Sequence, residues 1–183
     1  MGFSISWIGF RAIETPAILR ALNQHILQKT DPYNEAPLSL LNMPSGWTII
    51  FSNDVEWASF ERLASLSTGR EIIGMIIEEH TDIWGLYDYL NGQPNWYVVR
   101  ETTTGPSLLH KDGAIPDIAK PFLTQAWRDQ EEKDNAAYKH YPSQEPIDIA
   151  EAITGYRHDR NGPNGNPGFH VLEAGFTDPL AGL

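Results

Sequence analysis

Between residues 47 and 101 the chain reads as a strand, a capped helix and three further strands in immediate succession, and this spacing restricts the fold more than any other feature. Trp47-Thr48-Ile49-Ile50-Phe51 is β-branched and aromatic, which suits a pleated, half-buried surface, and it ends at the polar cluster Ser52-Asn53-Asp54. Ser59 supplies an N-cap for a helix with apolar positions at Phe60, Leu63, Ala64 and Ser67, and Gly69 supplies its stop. Ile72 to Ile77 is a continuous apolar run of strand length. Trp84 to Leu90 and Trp96 to Glu101 follow, joined through Asn91-Gly92, a pair that tolerates the positive φ of a tight hairpin turn. The expectation is an antiparallel meander with a helix on one face.

The flanking segments extend this unit. Phe3 to Phe10 alternates as a first strand. Thr15-Pro16 starts a helix whose stripe is Ile18, Leu19, Leu22 and Ile26. Lys29 to Pro37 reads as a loop, and Leu38 to Leu41 pairs with Trp47 to Phe51 across the turn Met43-Pro44-Ser45-Gly46. Through residue 80 the order strand, helix, strand, strand, helix, strand matches a ferredoxin-like pattern. Ser107 to His110 reads as an edge strand before a turn at Lys111-Asp112-Gly113. Ile118 to Ala137 has helical composition, with Pro121 starting or kinking it. Pro146 to Thr154 is a short helix stopped by Gly155, and Phe169 to Leu172 is a last strand after the Gly- and Asn-rich segment Asn161 to Gly168. The fold class expected is α+β: a mixed, largely antiparallel sheet with flanking helices, forming one domain over residues 1–175 with a loosely ordered tail, 176–183.

Composition excludes several function classes. The chain has no cysteine, so thiolate chemistry, disulfides and cysteine-ligated zinc are ruled out. Its 24 acidic against 13 basic residues give a formal charge of −11, with no Lys or Arg between Arg70 and Arg100. Nucleic-acid backbones would be repelled, since binding them needs a basic footprint, whereas a basic protein partner suits the charge. The opening residues lack a basic leader, a long apolar stretch or a cleavage site, which points to the cytosol, with no export signal and no membrane span.

Ser4 to Arg11, Gly46 to Asp54, Ile77-Glu78-Glu79-His80 and Gly155-Tyr156-Arg157-His158-Asp159 resemble a family of uncharacterised bacterial proteins, along most of the chain. The resemblance implies a bacterial cytosolic protein and brings no catalytic residue with it.

Three constellations have chemistry to offer. Glu78, Glu79 and His80 end a strand, and His158, Asp159 and His170 lie in the C-terminal segment. These are metal-ligand types, but their spacing matches no metal motif, and ordinary strand-end hydrogen bonding accounts for them, so no metal or cofactor is expected. Arg157, His158 and Arg160 beside the glycine-rich segment, with His80 or His170, suit a carboxylate or phosphate, as in a small enzyme or ligand-binding protein; a helix end followed by a surface loop explains them equally. No Gly-x-Ser-x-Gly elbow or phosphate-binding glycine motif occurs. The third is the aromatic group Trp84, Tyr87, Tyr89, Trp96 and Tyr97. Trp84 shares a face with Leu86 and Asp88, while Tyr87 and Tyr89 point the other way. If covered, the rings are core. If one face is open, Trp84, Asp88 and Trp96 with Glu78, Glu79 and Asp82 make an acidic aromatic surface for a basic protein partner, as in an immunity-type protein. A free meander edge would also let two copies pair as a homodimer.

Overall fold

The computed structural model describes residues 3–101, 108–124, 144–160 and 168–175. They form one nine-stranded antiparallel sheet with helices on both faces, the α+β class expected. The strands are β1 (Ser4–Arg11), β2 (Gln24–Thr30), β3 (Leu38–Asn42), β4 (Trp47–Ser52), β5 (Glu71–Glu78), β6 (Ile83–Leu90), β7 (Gln93–Glu101), β8 (Leu108–Gly113) and β9 (His170–Ala174). The helices are α1 (Thr15–Leu22), α2 (Phe60–Leu66), a 3₁₀ helix (Asp117–Leu123) and α3 (Glu145–Thr154). Strand order is β2-β9-β3-β4-β1-β5-β6-β7-β8. No helix among the described residues is long and apolar enough to cross a membrane.

The centre is β1, a run of six consecutive buried residues between β4 and β5. A strand buried on both faces must put an apolar side chain on each, and alternation does so here. Ile5 and Trp7 join one core with Trp47, Ile49, Met75 and Trp84, beneath α3 and Phe169. Ile8 and Phe10 join the other with Ile50 and Ile72, beneath Ile18 of α1 and Leu63 of α2. Ser6, fully buried on the second face, is satisfied by the loop entering α2: its hydroxyl donates to the Asp54 carbonyl at 2.7 Å and accepts from the Ala58 N–H at 3.2 Å. Ser59 then caps α2 by accepting from the Arg62 N–H at 3.3 Å. The helix bridges β4 and β5, which flank β1.

The meander is present as expected and gains β8 as an outer strand. Lys111, Asp112 and Gly113, expected as a turn, lie in β8 and pair with Val98, Tyr97 and Trp96. A larger difference follows α1. Ile26 continues the helical spacing of Leu22, but Asn23 adopts a left-handed conformation (φ 51°), ends the helix and redirects the chain into edge strand β2. Part of the expected loop at residues 29–37 therefore belongs to a strand. The extra strand interrupts the ferredoxin-like element order, which the sheet does not confirm. Of the helix expected over 118–137, residues 117–123 form the 3₁₀ helix with Pro121 inside it. Residues 125–137 of that segment, most of the Gly- and Asn-rich stretch and the C-terminal tail lie outside the described residues.

Candidate functional site

Alternation along β6 and β7 decides the fate of the aromatic residues. Trp84 and Trp96 point into the α3 core and are 2% and 4% exposed, and Asp88 on the same face is fully buried. These three residues form no open surface, because α3 packs over β6 and β7. Glu78, Glu79 and Asp82 sit at the opposite end of β5 and β6 from Asp88, so the six expected binding residues do not share a surface. Glu78 accepts from the Ser4 hydroxyl at 2.6 Å and Glu79 from the Phe3 N–H at 2.9 Å, anchoring the start of β1.

Among the described residues the opposite face of the meander is the less covered one: α2 reaches β5 and β6 there, and Tyr87 and Tyr97 are half-exposed. Tyr87 and Tyr97 stand across from each other, with ring centroids 6.3 Å apart, and the exposed Phe60 ring meets Tyr87 edge-on at 4.9 Å. Gly85 makes this possible: the Tyr87 ring lies over it so closely that an added Cβ would sit 2.5 Å from the ring. Ile76 and Val99 are half-buried beside the rings. A shallow hollow of about 400 Å³ opens next to them, lined by Val55, Glu56, Ser59, Phe60 and Ile76. The same side of the strands carries Glu78 on β5, Glu101 on β7 and Asp112 on β8. His110 of β8 lies on this side too, 3.8 Å from Glu101.

On the α3 side is a second hollow of about 280 Å³, lined by residues including Arg11, Trp47, Glu71, Asn95 and Trp96, and the buried Asp88 neighbours its Glu71 and Asn95. A β-bulge creates this corner. Asp88 pairs with Trp96 and Tyr89 with Pro94, leaving Asn95 as the extra residue, and Pro94 is tolerated because the ladder is already broken. The freed Asn95 side chain donates to Asp88 Oδ2 at 2.7 Å. Burial, with the nearby Glu71 carboxyl adding to it, pushes the Asp88 carboxyl up to about 7, against the bond from Asn95. Asp88 Oδ1 takes no N–H or hydroxyl donor.

The C-terminal cluster is assembled around α3 but is internally neutralised. Arg157 is 8% exposed and bonds Asp148, Asp159 (2.6 Å) and Gln144 (2.7 Å), so its guanidinium has no face left for an incoming anion. Arg160 is held by Glu151 at 3.0 Å. His158 is buried edge-on against Phe3 (5.4 Å), and loss of hydration pulls its pKa down to about 4, so it is neutral at physiological pH. His80 is exposed in the β5–β6 turn, and His170 pairs with Leu40 across β9 and β3. The structure therefore does not gather His80, Arg157, His158, Arg160 and His170 into one ligand site. Among the described residues no three His, Asp or Glu side chains are placed to hold a metal.

No protein-family model, no curated protein and no solved structure matches the chain.

Proposed function

We propose that the chain is a binding protein that recognises a basic protein partner through the tyrosine face of its meander, in the bacterial cytosol that its sequence resemblance implies. The observation that carries this reading is the less covered sheet face itself. Tyr87, Tyr97 and Phe60 form a contiguous aromatic surface next to an apolar hollow, with Glu56, Glu78, Glu101 and Asp112 around it. Rings of this type supply contact area at low entropic cost, and an acidic rim selects against acidic partners while accelerating encounter with basic ones. The total charge of −11 acts in the same direction. An immunity-type role, in which this face occludes a basic toxin, is its most concrete form.

The test is capture of partners from host lysate by the tagged chain, by Tyr97→Ala and by the double variant Glu101→Lys/Asp112→Lys, each checked for folding. A basic protein retained at stoichiometric level by the wild type, released by salt and lost from both variants supports the reading. Equal retention by all three, or no retained protein, removes it.

A further inference from the structure

The hollow on the α3 side is chemically distinct from the tyrosine face. Its walls are apolar and aromatic: Trp47 and Trp96 from the sheet, Ile118 from the 3₁₀ helix and Ile153 from α3. Its charged groups are Arg11 and Glu71. Phe10 pairs with Ile72, so the next residue on each strand places Arg11 opposite Glu71 at the end of the β1–β5 ladder. Opposite charges in that position would ordinarily join. Here the Arg11 guanidinium instead lies over the Trp47 ring, 6.0 Å from its centroid, and among the described residues neither Arg11 nor Glu71 takes part in an ion pair. A positive and a negative group thus face one hollow from two sides.

An independent observation lies beneath Glu71. Asp88 is fully buried, its Oδ2 is held by Asn95, which itself lines the hollow, and its Oδ1 takes no N–H or hydroxyl donor. The Glu71 carboxyl is its neighbour. Glu71 and Asp88 lie within hydrogen-bond reach and share a proton below about pH 7, so together they present carboxyl acceptors that an ammonium group satisfies. A simple cation would be opposed by Arg11, and a simple anion by Glu71 and Asp88. A molecule carrying both charges meets a partner at each end. The volume of about 280 Å³ lies at the lower limit for ligand pockets, which selects a small one.

We propose that this hollow binds a small zwitterion of the free amino-acid class, with the ammonium group on Glu71, the carboxylate on Arg11 and an apolar side chain against Trp47, Trp96, Ile118 and Ile153. Asp88 acts as a positioning residue that fixes Asn95 beside Glu71.

The experiment follows the indole N–H signals of Trp47 and Trp96 by NMR while L-leucine or L-phenylalanine is added. The comparators are isoamylamine, which lacks the carboxylate, 4-methylpentanoate, which lacks the ammonium, and glucose, which lacks both. Saturable shifts with either amino acid are expected. Each single-charge comparator should bind at least about tenfold more weakly, since one charge-assisted contact is lost. Glu71→Gln and Arg11→Met change exposed side chains and should preserve the backbone spectrum while weakening amino-acid binding by a similar factor. Absence of saturable shifts with both amino acids overturns the proposal. So does binding of isoamylamine, 4-methylpentanoate or glucose at equal strength, or unchanged affinity in both variants. Tyr97→Ala leaves this binding intact, which separates its outcome from that of the partner experiment.

Discussion

Arg100 on β7 and Glu145 at the start of α3 form a buried ion pair across 45 residues of chain, with Nε to Oε2 at 3.0 Å and a second contact from Nη2 to Oε1. Both side chains are almost completely removed from water, at 4% and 0% exposure. Paired guanidinium and carboxylate geometry makes the contact directional, so it fixes the position of α3 over the meander as well as its attachment. Glu145 also stands in the first turn of its helix, where the backbone N–H groups favour negative charge.

Removing Glu145 takes this carboxylate away from Arg100 in a dry site. Glu145→Leu is expected to lower unfolding free energy by about 3–5 kcal/mol in urea titrations, because breaking a buried pair from one side costs more than the pair contributes. The double variant Arg100→Met/Glu145→Leu should recover most of that loss. A double that is as unstable as the single would show that the pair's worth lies in contacts other than its charge.

Asp88 and His158 give the protein two opposed pH dependences. Asp88 has a folded pKa near 7 against an ordinary 3.8, so between about pH 4 and 7 the folded chain holds a proton that the unfolded chain releases. Its contribution to stability therefore falls as pH rises through that window. Asp88→Asn, which keeps an acceptor for Asn95, should be more stable than the wild type at pH 8 and lose this advantage at pH 4. Urea midpoints of the two proteins across pH provide the measurement.

His158 behaves in the reverse sense. Its folded pKa is near 4, depressed chiefly by burial, against an ordinary 6.5, so the unfolded chain binds the extra proton between those values. Its contribution is complete above pH 6.5 and is lost as pH falls toward 4. Wild-type stability should therefore be flatter over that range than that of either Asp88→Asn or His158→Gln. The difference curves, wild type minus variant, are expected to slope in opposite directions, and parallel slopes would refute the assignment.

The sequence carries this architecture unevenly, and the reason is physical. Elements buried on both faces, such as β1 and β4, are legible because every residue must satisfy a core. Ser59 and Gly155 are equally legible, since capping chemistry is local. Edge strands β2 and β8 are largely exposed, so no period marks them, and at β2 Ile26 prolongs the helical spacing past the residue that ends the helix. At the site, the parity that groups Asp88 with Trp84 and Leu86 already ties its exposure to theirs. Whether that face is open depends on α3, which begins 45 residues after Arg100 and whose docking local sequence does not encode. Arg11, Glu71 and Asn95 come together through strand register and a bulge, which are likewise properties of the assembled sheet.

Gly113 is the position where that assembly is least tolerant. It ends β8 with φ of +84°, pairs with Trp96 and passes directly over the bulge. An added Cβ would lie 2.1 Å from the Asn95 carbonyl oxygen and 2.8 Å from Trp96 Cα. Both obstacles are backbone, so no side-chain rotation relieves them. The same carbonyl accepts the Ala114 N–H at 3.2 Å, which leads the chain into the wall of the zwitterion hollow. Gly113→Ala should cost at least about 2 kcal/mol, from the strained φ together with the overlap. Gly46→Ala provides the control, since its φ is +85° with nothing within 4 Å of the added Cβ, and it reports the cost of the φ alone. The excess loss at Gly113 should be accompanied by shifts of the Asn95 and Trp96 backbone resonances, whereas equal losses at the two glycines would show that the bulge yields freely.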